Sequence, residues 1–251
     1  NVIMQEIIAS FTGKYGLSRI EIMAEIEKTF SEILSNWYGT EVMTFFREDF
    51  LLEAVAYSHS SGMIVQKPIN LAELKGKRTL TRQLEMNLAK AAVLKQTTYY
   101  KPFEKELLWG EITACDAEHN LYLETEIIPG ELITALCPHN RIGLHERNKG
   151  TFHVGRKRAF HLRRVEPVFL NNTPRLKILV DRVSKTLVET LLRSHLGPDT
   201  AKLQLQCIKR YVGHKSIVLT TKPLPRAAII AVDRELKERI QVRVVKSLPD
   251  K

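Results

Sequence analysis

The sequence predicts a multidomain α+β protein: a helical and α+β N-terminal head with a long connecting helix, a five-stranded barrel, and a small α/β unit. Apolar residues recur at helical spacing over residues 2–37 and 71–99, as on the buried side of a helix. Five short strand patterns follow over residues 107–181, separated by turn signals. Helix and strand patterns then alternate toward the end. This order predicts three domains, over residues 1–102, 103–182 and 183–251.

The head opens with a short helix pattern, followed by a second helix whose start is marked by a cap. Ser18 and Glu21 form a capping box, in which the hydroxyl and the carboxylate each accept a hydrogen bond from a free backbone N–H. Behind this cap, apolar residues at helical spacing predict a side that packs in the core: Ile22, Met23, Ile26, Phe30, Ile33 and Trp37.

A small sheet and a long helix complete the head. Segments 42–47, 51–57 and 63–67 are short and rich in Val, Phe and Tyr, which predicts antiparallel strands. Helical spacing returns over residues 71–99. Lys101-Pro102 then ends the long helix, because the residue before a proline is disfavoured in helical conformation.

The barrel prediction depends on five strands and one long connection. The connection lies between the third and fourth strands, an arrangement that fits a small OB-like barrel. The predicted strands cover 107–116, 120–125, 131–136, Gly155 to about Glu166, and 175–181. In the second strand, alternation turns Tyr122 outward and its neighbours Leu121 and Leu123 inward.

The last part reads as helix, two strands, helix, strand. Ser184 caps a leucine-rich helix, and a hairpin turns about Val212-Gly213-His214. A helix over 226–238 and a strand over 240–246 follow.

Charge is distributed unequally between the head and the rest of the chain. Residues 1–104 hold 12 Lys+Arg and 12 Asp+Glu, whereas residues 105–251 hold 26 and 16, a difference of +10. A neutral head joined to a basic body predicts different partners for the two parts: a protein or no partner for the head, and nucleic acid or another polyanion for the body.

The densest basic stretch runs from Arg141 to Arg164 and contains only one acid, Glu146. Three histidines and two phenylalanines are interleaved with its cations, as suits a polyanion whose bases can stack. A solvated basic face without a partner is the alternative. The cations are Arg141, Arg147, Lys149, Arg156, Lys157, Arg158, Arg163 and Arg164.

Several function classes find no support in the sequence. The nucleotide-binding, hydrolase and metalloprotease motifs are absent, so we predict neither catalysis nor a cofactor. Cys137, His139, His145 and His153 were weighed as zinc ligands, but the paired spacing of thiolate sites is lacking. The lack of an apolar run of about 18 residues predicts no membrane span. Scattered cysteines predict reduced thiols in the cytoplasm, and we expect a monomer.

The predicted order of parts resembles the NusA family of bacterial transcription factors. Gly110-Glu111-Ile112 looks like the first strand of that family's S1 barrel, and Val154 to Pro167 is similar to a later strand. Cys207 to Lys215 resembles the hairpin of its first KH domain, and Arg226 to Val244 the closing helix and strand.

This resemblance implies a non-catalytic factor. The head would dock on RNA polymerase, and the body would hold single-stranded nascent RNA to modulate pausing, termination or antitermination. One departure concerns the KH-like unit, because a KH domain clamps RNA with a Gly-x-x-Gly loop between two helices. Residues 221–225 contain no such loop, and the helix that should precede it is missing. The unit is therefore a degenerate KH-like unit, and whether it still binds RNA stays open.

The candidate RNA-binding residues form two groups. The first belongs to the barrel, where an exposed aromatic can stack a base and cations can neutralise phosphates. It comprises Tyr122, Arg141, Phe152, His153, Arg156, Lys157 and Arg158. The second belongs to the hairpin of the last unit and comprises Lys209, Arg210, His214 and Lys215.

Two other functions remain open at this point. The chain could be a stand-alone RNA-binding module that acts on ribosomes or small RNAs, since this needs the basic body but no polymerase. It could also be a relative that has lost RNA binding and acts through protein contacts, as the missing Gly-x-x-Gly loop suggests.

Overall fold

The computed structural model describes residues 2–60, 63–147, 150–171, 173–197 and 203–249. The chain divides into two compact units. The first comprises Asn1–Thr98 and Pro167–Leu176, and the second comprises Tyr99–Glu166 and Lys177–Lys251. Most of the predicted barrel and all of the last α/β part fall within the second unit, whereas Pro167–Leu176 falls within the first. The division into three domains at residues 102 and 182 stays a prediction.

The first unit contains three helices and a three-stranded antiparallel sheet of strand order β1-β2-β3. Its elements match the predicted types and order. The third strand is longer than predicted, because β3 continues past residue 67 through Pro68 to Ile69. The elements are α1 (Val2–Tyr15), α2 (Arg19–Tyr38), β1 (Glu41–Phe46), β2 (Leu52–Ser60), β3 (Met63–Ile69) and α3 (Lys77–Tyr100).

The predicted capping box at the start of α2 is confirmed. The backbone N–H of Ser18 donates to the Glu21 carboxylate at 2.6 Å, and the N–H of Glu21 donates to the Ser18 hydroxyl at 3.3 Å. Lys95 also binds this carboxylate, at 2.7 Å. The Lys95 hydrogen bond and the Ser18 N–H together lower the pKa of Glu21 to about 2. The carboxylate is therefore ionised at neutral pH and available to the cap.

The core-facing side of α2 is mostly as predicted, with one correction. Ile22 and Ile26 are buried in the head core. Near the end of the helix, however, the buried residue is Leu34, which packs with Val42 and Ala54 of the sheet. Trp37 is 42% exposed. The first part of α2 packs in the head core with Ile22 and Ile26, whereas its last part packs against the sheet through Leu34. A different side of the helix is therefore buried near its end.

We expect Ser18→Ala to lower the free energy of unfolding of the head by about 1 kcal/mol. The substitution removes the hydroxyl that accepts the Glu21 N–H, and this donor has no partner within the helix. Urea unfolding followed by circular dichroism measures the change. Ser10→Ala, at an exposed position inside α1, is the matched control and should change stability little. An equal loss in both variants would contradict a role for the cap.

After the head the chain forms a closed five-stranded barrel of strand order β4-β5-β6-β8-β7, all of which belongs to the second unit except Pro167–Leu176. Neighbours are antiparallel where β4 meets β5 and β7, and β6 runs parallel to β8. Inside the barrel a Cβ at Gly110 would lie 2.1 Å from a methyl carbon of the buried Leu123, so only glycine fits there. The strands are β4 (Leu107–Cys115), β5 (Leu121–Glu126), β6 (Leu132–Cys137), β7 (Lys157–Leu170) and β8 (Thr173–Asp181).

The remaining elements form a three-stranded sheet covered by two helices. Its strand order is β11-β10-β9, with β10 antiparallel to β9 and parallel to β11. Ser184 caps the first helix by accepting the Leu187 N–H, as predicted. Residues 221–225 form an irregular connection and contain no helix. The elements are α4 (Lys185–Ser194), β9 (Leu205–Tyr211), β10 (Lys215–Thr220), α5 (Arg226–Leu236) and β11 (Arg239–Val244).

Within the described residues, every helix is too short or too polar to cross a membrane.

Candidate nucleic-acid interface

The three-stranded sheet of the second unit has one face packed against helices and one face that is at least partly exposed. Val218 on β10 and Ile240 on β11 lie in the core with the leucines of α4 and α5. Because side chains alternate along a strand, Lys215, Ile217 and Leu219 lie on the opposite face. We call this second face the open face.

A β-bulge decides which residues of β9 reach the open face. Leu205 and Cys207 are both in the core, so simple alternation would also turn Lys209 inward. The pairing register instead shifts, since Cys207 pairs with Val218 while Lys209 pairs with Ile217. The extra residue, Ile208, reverses the alternation. Lys209 and Tyr211 therefore reach the open face, and Arg210 turns inward.

A basic and aromatic cluster lies at the hairpin end of the open face. Tyr211 pairs directly with Lys215 and is 42% exposed. The ammonium groups of Lys209 and Lys215 lie 4.9 Å and 5.8 Å from the centre of its ring, within the range of cation–π attraction. We call Lys209, Tyr211 and Lys215 the hairpin cluster. His214, in the adjoining turn, is exposed.

Arg210 does not belong to this surface, although the sequence placed it among the phosphate contacts. Its guanidinium is almost fully buried and donates to both oxygens of the buried Glu238, at 2.9 Å and 3.2 Å. It also donates to the carbonyl oxygen of Ser184. Glu238 further accepts from the Gly213 N–H and the Ser216 hydroxyl. Arg210 therefore holds the hairpin and the sheet together from inside.

The basic stretch 141–164 is organised around a buried arginine outside it, Arg182. All five N–H groups of a guanidinium can donate, and Arg182 makes five such bonds to three residues. Two go to the Glu146 carboxylate, one to the Glu235 carboxylate, one to the Glu235 carbonyl and one to the Ala159 carbonyl. Burial lowers the pKa of Arg182, but Glu146 and Glu235 outweigh this effect and raise the pKa above its usual value.

Two residues that were predicted to contact RNA, Arg158 and Phe152, interact with this network instead. Arg158 is buried and forms an ion pair with Glu235 at 3.0 Å. Phe152 is half-buried, with the Arg182 guanidinium 5.3 Å from its ring centre. The buried Glu146, the one acid of the stretch 141–164, pairs with Arg182 and thereby anchors this part of the chain to the rest of the unit.

The other predicted residues of the stretch remain accessible. His153, Arg156 and Lys157 are exposed, and Arg141 is half-buried. At the start of β7, Lys157 is exposed, whereas every residue from Arg158 to Leu162 is buried. Lys149 lies outside the described residues.

The barrel face around Tyr122 is acidic and is therefore unsuited to binding a polyanion. Tyr122 is half-exposed, and Leu121 and Leu123 are buried, as predicted. Glu124 and Glu126 share the outer face of β5 with Tyr122 and are exposed. Glu111 on β4 pairs with Glu124, so three carboxylates and a single cation, Lys157, line a groove of about 480 Å³ beside Trp109. These carboxylates would repel phosphates, so the structure does not favour Tyr122 as a residue that stacks an RNA base.

The four residues that were weighed as zinc ligands, and not predicted to be a site, are engaged in other contacts or lie apart. His145 bonds the carbonyl oxygen of Leu236 at 2.9 Å and packs against Gly213, where a Cβ would lie 2.4 Å from the ring. Cys137 is buried, and burial raises the pKa of its thiol. Among the described residues, no group of three or more His, Cys, Asp or Glu side chains is placed to hold a metal ion.

Sequence reasoning missed Tyr211, Arg239 and Arg243. Arg239 pairs with Lys215, and Arg243 pairs with Leu219, so both arginines lie on the open face and both are exposed. The alternation of Arg239, Gln241 and Arg243 with apolar residues was a readable signal of one polar face.

The chain was compared with protein-family models and with curated proteins, and it matches none of them.

Proposed function

We propose that this protein is a non-catalytic RNA-binding factor that acts on transcription, in the manner of the NusA family that its sequence resembles. The body would bind single-stranded nascent RNA, and the head would bind RNA polymerase. The observation that carries the RNA-binding part is the hairpin cluster, in which two lysine ammonium groups lie 4.9 Å and 5.8 Å from the ring centre of an exposed tyrosine. Cations neutralise phosphates, and an aromatic ring stacks a base irrespective of its identity.

The order of parts supports the transcription assignment. A closed five-stranded barrel with a long connection before its fourth strand fits an OB-like S1 domain. The following helix–strand–strand–helix–strand unit fits a KH domain without its Gly-x-x-Gly loop. The head forms a separate compact unit with balanced charge, 12 Lys+Arg against 12 Asp+Glu over residues 1–104. Such a surface suits a protein partner better than a polyanion.

RNA binding should depend steeply on salt. For the full chain and a labelled single-stranded RNA, log K should fall linearly with log salt concentration, because bound phosphates release counterions. Lys209→Glu with Lys215→Glu should weaken binding about tenfold or more and reduce the slope by about 1.4, since about 0.7 ion is released per phosphate of a single strand. Fluorescence anisotropy between about 50 and 200 mM salt measures both quantities.

Lys75→Glu with Arg78→Glu is the matched control, because both residues are exposed in the head and the change in net charge is the same. This pair should leave RNA affinity nearly unchanged. Binding that is absent or independent of salt would overturn the proposal and favour a relative that acts only through protein contacts.

The polymerase part has its own test. The tagged full chain should co-purify with RNA polymerase from cells, and substitutions in the hairpin cluster should not prevent this, because the head would carry the contact. Co-sedimentation with ribosomes and no polymerase in the purified complex would favour a stand-alone RNA-binding module.

A further inference from the structure

The open face of the three-stranded sheet extends well beyond the hairpin cluster. Pairing across the strands arranges its side chains in three rows. The rows are Tyr211–Lys215–Arg239, Lys209–Ile217–Gln241 and Gln206–Leu219–Arg243. Four of these nine residues are cations, and among the described residues of the three strands no acidic side chain lies on this face.

The rows place apolar side chains along the middle of the face and cations on either side of them, an arrangement that suits a single nucleic-acid strand. Ile217 and Leu219 form a half-buried apolar strip along the central strand, where base faces can rest. Exposed cations lie on both sides of this strip, Lys209 on β9 and Arg243 on β11. A phosphate chain can therefore follow the cations while its bases cover the strip.

Two further features favour a strand of RNA over a protein partner. Tyr211 offers an exposed ring at one end of the face, and base–aromatic stacking is a main source of affinity for single strands. The half-buried side-chain amide of Gln241 can donate to and accept from base edges, whereas the side-chain carbonyl oxygen of Gln206 is buried. Four-stranded RNA-binding sheets use their open faces in this way, with aromatic residues that stack two or three bases.

We propose that the open face is the main RNA-binding platform of this protein. Tyr211 would stack one base, while Lys215, Arg239 and Arg243 bind successive phosphates. This inference rests on the proposed RNA-binding function and deepens it, because it locates the grip on the sheet and not on a loop between helices or on the barrel. The open face of the sheet would bind RNA in place of the missing Gly-x-x-Gly loop.

Charge reversal on the platform provides the test. The full chain carries Arg239→Glu and Arg243→Glu, and the probe is a fluorescein-labelled oligouridylate of about 12 nucleotides, within the site sizes of single-strand binders. We expect the affinity to fall about tenfold or more. The slope of log K against log salt should fall by about 1.4, because two phosphate contacts are lost and each releases about 0.7 ion. Tyr211→Leu should independently weaken binding about tenfold, the factor expected for loss of one stacked base.

The matched control is Arg226→Glu with Arg234→Glu on α5. Both arginines are exposed, and α5 packs on the opposite face of the same sheet. The change in net charge is identical, so a loss caused by overall charge would be equal in the two double variants. We expect the α5 variant to retain affinity within about threefold, because it removes no phosphate contact.

Crosslinking of RNA to the unaltered protein tests the proposal without depending on whether the variants fold. With 4-thiouridine in the oligonucleotide, ultraviolet crosslinks should map by mass spectrometry to Tyr211 or its neighbours on β9 to β11. Equal losses in both double variants, or crosslinks confined to the barrel, would overturn the platform and leave RNA binding intact. No detectable binding by the unaltered chain would instead overturn the proposed function itself.

Discussion

Arg182→Met should lower the free energy of unfolding of the second unit by about 3–5 kcal/mol, the usual cost of removing one partner from a buried ion pair. The substitution leaves the Glu146 carboxylate buried without its cation, and it removes the bond to the Ala159 carbonyl. Urea unfolding can be followed through the fluorescence of Trp109 on β4, in a Trp37→Phe background that silences the head.

Arg164→Met is the matched control, because Arg164 forms an exposed ion pair with Glu166 on the same strand. Exposed pairs contribute at most about 1 kcal/mol, so this variant should unfold nearly as the parent does. Adding Glu146→Met to Arg182→Met should recover part of the loss, since one unpaired buried carboxylate is then removed. A loss below about 1 kcal/mol for Arg182→Met would contradict an organising role for the network.

Arg210→Met should have a similarly large effect, about 3–5 kcal/mol, because Glu238 is fully buried and would lose its cation. The adjacent Lys209→Met should change stability by less than about 0.5 kcal/mol, as expected for an exposed side chain. Thermal and urea unfolding of the two variants give this comparison directly.

The same two variants separate a structural role from RNA binding. Under conditions where both remain folded, Lys209→Met should weaken RNA binding, and Arg210→Met should leave the affinity nearly unchanged. The opposite pattern would mean that Arg210 reaches RNA and that its pairing with Glu238 is not maintained in solution. The sequence alone treated the two residues as equivalent phosphate contacts.

Much of the fold followed from local patterns in the sequence. The capping box at Ser18 and the cap at Ser184 were readable because the donor and acceptor lie three residues apart. Strands and helices of the second unit also occur where their periodicity placed them. The largest difference concerns β7, which begins at Lys157 and not at Gly155, and which continues to Leu170 beyond the predicted end near Glu166. These features depend on near neighbours, which is why sequence reasoning reached them.

The candidate site was less predictable from the sequence. Arg158 and Arg210 look like any exposed cation until Glu235 and Glu238 are brought beside them by folding. Each of these carboxylates is at least 28 residues away along the chain. Tyr122 had a plausible position on the barrel, but the Glu111–Glu124 pairing that makes this face acidic depends on strand register.

The sequence by itself determined the order of elements, the neutral head and the basic body, because these follow from composition and short-range periodicity. Only the tertiary structure decided which cations are available to a partner. A single extra residue at Ile208 reversed the alternation of β9, which turned Lys209 and Tyr211 outward and Arg210 inward. Long-range pairing then removed the inward guanidinium groups from the surface, because a buried charge is stable only beside its counter-charge.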